Sequence, residues 1–205
     1  MVAVTAPTDR HRAAVLAGHD GDVEVARSLL NDAHPRVRAG ALGALARCDA
    51  LDDLTLRAAL ADADASVRRR AITLAVNRPN IDLVSMLTDI DHTVIEHAAW
   101  ACGERAPSAD VVDAIVHLAR GHGDALVREA AVAALGSLGD ERGLDAILHA
   151  CADRATVRRR AVLALAPFDS PAVRAALHAA RGDRDWQVRQ SAEDLASIMG
   201  LDDEA

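Results

Sequence analysis

Valine and alanine recur along the chain at a spacing that places both on one face of a helix. In six blocks an alanine stands four residues after a valine, and successive valines are 30, 27, 33, 30 and 31 residues apart. The six pairs are Val37 with Ala41, Val67 with Ala71, Val94 with Ala98, Val127 with Ala131, Val157 with Ala161, and Val188 with Ala192. Because residues i and i+4 share one side of an α-helix, each block predicts a helix, which we name a B helix.

Acidic residues mark the predicted start of each B helix. An aspartate stands three to five positions before every valine of the series, at Asp32, Asp62, Asp89, Asp124, Asp153 and Asp183. Its carboxylate can accept the free backbone N–H groups of a first helical turn and suits the positive end of the helix dipole. We therefore predict that each B helix begins just after its aspartate.

A second apolar segment, here called an A segment, lies before each B helix. The A segments occupy residues 23–30, 51–60, 81–87, 111–119, 144–150 and 173–179, and residues 8–17 resemble a lone B helix at the start of the chain. Glycine and proline near the junctions separate the segments. Each repeat can bury its apolar face only against its neighbours, so the pattern predicts an all-α fold, a right-handed α-solenoid of about six helix pairs.

The same pattern sets the expected domain organisation. A single repeat domain over residues 8–200 contains all six helix pairs. We expect a disordered N-terminus over residues 1–7 and an acidic tail over residues 201–205.

The repeat has a recognisable consensus, Asp-x4-Val-Arg-x2-Ala-x3-Leu, which residues 32–45 follow throughout. This consensus resembles the short HEAT-like repeat named after phycobilisome lyases, and the resemblance covers roughly residues 8–200. It implies an α-solenoid. Such repeats occur in lyases, hydroxylases, DNA glycosylases and adaptors, so the resemblance implies a fold and leaves the function open.

The resemblance also implies a structural role for the arginine that follows the valine. In repeats of this kind the loop aspartate and this arginine are expected to form hydrogen bonds across neighbouring repeats and to fix the stacking angle. The residues concerned are Arg38, Arg68, Arg128, Arg158 and Arg189. We therefore do not count them as a phosphate site.

Composition narrows the class of partner. Acidic residues outnumber basic ones by 31 to 23, and the formal net charge is −8. Non-specific nucleic-acid binding depends on neutralising phosphates, so this balance disfavours a nucleic-acid partner.

Cys48, Cys102 and Cys151 form no CxxC pair and are typical of buried thiols in a reducing compartment. No apolar stretch approaches the roughly 18 residues of a membrane span. We expect a cytoplasmic protein with no membrane partner.

Positions two, three and six after each valine are expected to line the concave side of a solenoid, where partners bind. The distinctive residues there are Arg69, Arg70, Glu96, His97, Trp100, Glu129, Arg159 and Arg160. The third repeat departs from the pattern, because Ile95 stands where the other five repeats have the arginine after the valine, and Trp100 lies in the same block. Trp100 is a candidate apolar anchor for a partner. The alternative is that Trp100 belongs to the core.

Catalytic and metal motifs are missing from the sequence. There is no glycine-rich phosphate loop and no GxSxG elbow. Deoxyhypusine hydroxylases, which share the HEAT-like fold, bind iron through several His-Glu pairs, whereas the block around His92 contains one reversed pair, Glu96-His97. We predict no catalytic residues, no metal and no cofactor.

These observations favour a non-catalytic scaffold or adaptor. Its concave face would bind a protein or peptide partner that carries acidic groups. Two other hypotheses stay open. The protein is a HEAT-like lyase or metal-dependent hydroxylase, or it is a HEAT-like nucleic-acid-binding protein of the DNA-glycosylase type.

Overall fold

The computed structural model describes residues 6–201, and helices make up most of that range. The α-helices are α1 (Pro7–Asp20), α2 (Val23–Ser28), α3 (Pro35–Arg47), α4 (Asp53–Leu60), α5 (Ala65–Ala75), α6 (His92–Gly103), α7 (Ala109–Gly121), α8 (Ala125–Leu138), α9 (Glu141–Ala150), α10 (Ala155–Ala164), α11 (Pro171–Ala180) and α12 (Trp186–Ile198). A short 3-10 helix covers Val84–Thr88. No strand occurs in residues 6–201, so the predicted all-α class is confirmed.

The termini of the chain are only partly described. Ala6 caps α1, and Pro7 is its first residue, so the helix begins one residue before the predicted repeat domain. Residues 1–5 of the predicted disordered N-terminus and residues 202–205 of the predicted acidic tail lie outside the described residues.

Five of the six predicted A segments form α-helices, and the third does not. Residues 81–87 contain only the 3-10 helix, although Ile81 and Leu83 are buried as an apolar segment should be. The interval from Val67 to Val94 is 27 residues, the shortest in the series. The segment between α5 and α6 is as long as the one between α8 and α10, which contains the ten-residue α9, so length does not explain the difference. The prediction of an A helix at this place is wrong, because the segment forms only a 3-10 helix.

The chain divides into two compact units, and the boundary lies between Met86 and Leu87. In the first unit, α1 packs on α3 and α3 packs on α5, while the A helices α2 and α4 pack against these B helices. In the second unit, the B helices α6, α8, α10 and α12 pack in sequence, and α7, α9 and α11 form a second layer. Each unit is thus a stack of repeats, as in a solenoid.

The repeat valines and alanines form the core of each unit. All six alanines of the series are fully buried, and none of the six valines is more than 1% exposed. The B helices approach closely at small residues: a Cβ added to Gly136 of α8 would lie 2.7 Å from Cα of Ala164 on α10. Because the backbones pack closely, the exposed faces of neighbouring B helices lie side by side.

Replacing Ala131 with Leu is expected to lower the free energy of unfolding by about 1 to 3 kcal/mol, because an enlarged side chain at a fully buried position must displace its neighbours. Urea denaturation measures the change. Ala133→Leu on the same helix is the control, since Ala133 is only half-buried. Equal stability of the two variants would show that the Ala131 face is not closely packed.

The aspartate series does not form the N-caps as predicted. The caps of α5, α6 and α12 are Asp64, Asp91 and Asp185, each two residues after an aspartate of the series. Asp183, for example, accepts the backbone N–H of Asp185 at 2.7 Å. The series aspartates therefore order the loop before the helix. Asp124 is the exception, because it caps α8 directly.

None of the helices within residues 6–201 combines the length and the apolar character that crossing a lipid bilayer requires.

Candidate functional site

The arginine after the repeat valine pairs with an aspartate of the next repeat. Arg38 donates to both carboxylate oxygens of Asp62, at 2.8 and 2.6 Å. Arg158 donates to both oxygens of Asp183, at 2.8 and 2.7 Å. The same two-bond geometry joins Arg128 to Asp153, and Arg10 to Asp32. We call this series of pairs the ladder. The predicted cross-repeat bonds are confirmed for Arg38, Arg128 and Arg158, and Arg10 of α1 adds a pair that was not predicted.

Ladder arginines also bind the loop of their own repeat. Arg68 donates to the carbonyl oxygen of Asp62 at 2.8 Å, and Arg189 donates to that of Asp183 at the same distance. An arginine fixed in this way has few donors left for a ligand. The ladder is therefore part of the fold and not a phosphate site.

The ladder pairs keep their aspartates ionised. The hydrogen bonds from Arg10 lower the pKa of Asp32 to about 2, and those from Arg158 lower the pKa of Asp183 below its ordinary value. An unfolded aspartate has a pKa of about 3.9. The stability that the pairs contribute is therefore present above that pH and is lost as the pH falls through the folded-state pKa values.

The ladder is interrupted between the third and fourth repeats, and both partners differ there. Ile95 occupies the arginine position and is buried. His122 occupies the aspartate position, since its Nδ1 accepts the backbone N–H of Asp124 at 3.1 Å. From the sequence we predicted Asp124 at this position. The signal was in the spacing, because His122 stands five residues before Val127, as most of the other ladder aspartates do before their valines.

The histidines near this interruption each have a partner within the protein. His92 Nδ1 lies 3.0 Å from the Asp124 carboxylate, and the His92 and His122 rings pack in a T-shaped arrangement with their centroids 5.0 Å apart. His97 Nδ1 bonds to the Thr93 carbonyl oxygen at 3.1 Å. In residues 6–201, no three His, Cys, Asp or Glu side chains are grouped so that they could hold a metal ion.

Six predicted site residues lie in the second unit, on three adjacent B helices. α6 carries Glu96, His97 and Trp100, α8 carries Glu129, and α10 carries Arg159 and Arg160. Within this set the structure brings Glu129 and Arg160 together, with Oε1 and Nη2 3.6 Å apart. Trp100 is 43% exposed, so it is a surface residue and not part of the core.

Two further large apolar residues are exposed on the next two B helices, and sequence reasoning missed one of them, Leu126, because it lies outside the positions expected to line the concave side. Leu163 stands six residues after its repeat valine, the position that Trp100 occupies in its own repeat, and is 43% exposed. Leu126, on the intervening helix α8, is 56% exposed. It lies seven residues before Ala133, so both are on the same side of α8. We name Trp100, Leu126 and Leu163 the apolar patch.

The remaining two predicted site residues, Arg69 and Arg70, lie on α5 in the first unit. Arg70 lines a cavity of about 410 Å³ formed by α1, α3 and α5. Arg69 does not line this cavity. Two other cavity residues, Arg36 and Arg47, were not predicted, because they lie outside the positions expected to line a concave face.

The two cysteines of the second unit, Cys102 and Cys151, are poor candidates for a nucleophile. Burial raises the pKa of the Cys151 thiol to about 11, so this group stays protonated and is a poor nucleophile. Cys102 is 1% exposed. Neither side chain has the exposed, electropositive surroundings of a reactive cysteine.

The repeats match a known family model. Residues 81–158 match the model described as HEAT repeats, which confirms the predicted HEAT-like repeats in this part of the chain. A comparison with curated protein sequences finds no significant match.

Solved structures show the same class of fold. Human deoxyhypusine hydroxylase is 20% identical, with a TM-score of 0.50 over 97% of this chain and 81% of that one. An engineered protein is 20% identical, with a TM-score of 0.56 over 92% of this chain and 62% of that one. A designed armadillo repeat protein is 18% identical, with a TM-score of 0.47 over 95% and 91%. At these identities the likeness to the hydroxylase and to the engineered protein shows the fold alone.

Proposed function

We propose that this protein is a non-catalytic scaffold that binds a protein or peptide partner on the exposed face of its B helices, the face predicted above to be concave. The observation that supports this function best is the apolar patch of the second unit. Trp100, Leu126 and Leu163 come from three B helices packed in sequence, and each is at least 43% exposed. Contiguous exposed apolar surface is typical of interaction sites, and we propose that these three side chains contribute to one.

Polar residues surround the patch as in a protein interface. Glu96, His97 and Glu129 lie beside the apolar residues in the helical register, as do Arg159 and Arg160. Interfaces commonly combine an aromatic anchor with a polar rim that sets specificity. Arg159 forms no ion pair with another residue of the described range, so it is available to an acidic group of the partner.

The cellular setting belongs to the same proposal. Cys48, Cys102 and Cys151 are all free thiols. Free cysteines are typical of a reducing compartment, which supports a cytoplasmic location. No observation in residues 6–201 favours the lyase, hydroxylase or glycosylase alternatives over the scaffold.

A capture experiment with paired variants tests the proposal. The full chain is immobilised, bound proteins are collected from the native cytoplasm, and mass spectrometry identifies them. The test variant carries Trp100→Ser and Leu163→Ser. The control variant carries Leu54→Ser and Ile198→Ser, which remove two apolar side chains that are 78% and 82% exposed elsewhere.

The expected result is a protein that the wild type and the control capture and the test variant does not, with circular dichroism showing the same helix content in all three. Retention of every captured protein by the test variant would refute the patch as a binding surface. Equal loss from both variants would show non-specific hydrophobic capture and would also count against the proposal.

A further inference from the structure

The first unit contains a cavity whose lining is strongly basic. It has a volume of about 410 Å³ and lies between the B helices α1, α3 and α5. Its charged and titratable lining residues are His11, Arg36, Arg47 and Arg70, and no aspartate or glutamate lines it. Acidic residues outnumber basic ones by 31 to 23 in the whole chain, so this lining runs against the composition.

Two of these arginines are uncommitted, unlike the ladder arginines. The side chains of Arg36 and Arg70 make no hydrogen bond or ion pair with any residue in 6–201. Arg47 donates from Nη1 to Nε2 of His19 at 2.9 Å, which leaves its other donors available. A larger cavity of about 500 Å³ surrounds Arg38 and Asp62, but those charges already pair with each other. Of these two cavities, the one formed by α1, α3 and α5 has guanidinium groups without a partner in residues 6–201.

Glycines in α3 shape the floor of this basic cavity. A Cβ added to Gly43 would lie 2.6 Å from Nη2 of Arg70, and one added to Gly40 would lie 3.0 Å from Nδ1 of His11. The missing side chains let the guanidinium and the imidazole lie directly on the helix. His11 Nδ1 is also 3.0 Å from the Arg36 carbonyl oxygen, to which it donates, so the ring is held in place.

We infer that this cavity is an oxyanion site that takes the carboxylate groups of an acidic peptide segment. A guanidinium presents parallel N–H donors that match a carboxylate, and such bonds are stronger than neutral ones. The volume lies within the range of about 300 to 1,000 Å³ that is usual for ligand sites. The net charge of −8 repels long polyanions, which favours a short acidic segment over a nucleic acid.

That the ligand is a peptide segment rests on the proposed scaffold function. That the cavity binds oxyanions rests on the cavity alone. The test therefore uses a defined probe and the full chain. The probe is a fluorescent hexaglutamate peptide, whose binding is followed by anisotropy at two salt concentrations. A hexaglutamine peptide, inorganic phosphate and a ten-nucleotide oligothymidylate are the comparison ligands.

Three variants separate the cavity from general charge. Arg70→Gln removes a cavity guanidinium. Gly43→Ala keeps every charge but places a methyl group where Arg70 lies, at a helix position that favours alanine. Arg27→Gln is the control, since it removes an exposed arginine of α2 that does not line the cavity.

We expect the hexaglutamate peptide to bind the wild type, with weaker binding at high salt, and the hexaglutamine peptide not to bind. Arg70→Gln should weaken binding by about tenfold or more, the size of one lost charge-assisted contact. Gly43→Ala should also weaken binding while its melting temperature stays equal or rises. Arg27→Gln should stay within about twofold of the wild type, since exposed charges contribute little.

Several results would overturn the inference. These are no binding of hexaglutamate to the wild type, equal losses in Arg70→Gln and Arg27→Gln, or tighter binding of oligothymidylate than of hexaglutamate. Phosphate that displaces the peptide at equal concentration would show a small-anion site and not a peptide site. The variant with Trp100→Ser and Leu163→Ser should bind the probe like the wild type. Failure of the scaffold proposal and failure of this inference are therefore separate outcomes.

Discussion

Replacing Asp183 with Ala is expected to lower the free energy of unfolding by about 3 to 5 kcal/mol, because it leaves the buried Arg158 guanidinium without its counter-charge. The Arg158 side chain is 7% exposed, and Asp183 accepts two hydrogen bonds from it. Asp183 also accepts the backbone N–H of Asp185, the N-cap of α12. The substitution thus breaks a ladder pair and loosens the start of the last B helix.

A second Arg-Asp pair in the same unit provides the control. Arg120 pairs with Asp145, but their side chains are 48% and 85% exposed. Asp145→Ala should therefore cost less than about 1 kcal/mol, as exposed ion pairs do. Chemical denaturation of both variants gives the two free energies. Similar losses for the buried and the exposed pair would show that the ladder contributes no more than surface charge.

Replacing Trp100 with Ala is expected to weaken binding of the captured partner by about 2 kcal/mol, or roughly thirtyfold in Kd. An aromatic side chain in the centre of an interface commonly has an effect of this size. The ring is 43% exposed in the free protein, so the substitution should change the free energy of unfolding by no more than about 1 kcal/mol. Calorimetric binding and thermal unfolding are measured on the same preparation.

Trp186→Ala is the matched control for this prediction. Trp186 is 64% exposed as the first residue of α12, and it lies outside the apolar patch. Its replacement should leave the affinity unchanged. A large loss of stability in Trp100→Ala with unchanged affinity per folded molecule would assign Trp100 to folding and remove it from the binding surface.

The two proposed surfaces suit different chemical groups. The apolar patch of the second unit suits apolar side chains, and the basic cavity of the first unit suits carboxylates. Each surface lies on B helices within its own unit. Each surface can therefore be tested alone.

The sequence by itself determined where the B helices lie and which residues form their core. Valine and alanine four residues apart predict a buried helical face, and all six alanines are fully buried. The consensus also identified the ladder arginines, through the family resemblance. These features depend on periodicity within one repeat or between neighbouring repeats, so a local pattern is sufficient to predict them.

Only the tertiary structure decided how the irregular positions are used. Periodicity placed Trp100 on a helix face but could not show whether another element covers that face, and the structure leaves the ring 43% exposed. It also put His122 in a ladder position that the sequence reading gave to Asp124. The basic cavity combines His11, Arg36 and Arg70 from three helices. Side chains so far apart in sequence meet only through packing, because the close approach of α3 to its neighbours sets which faces converge.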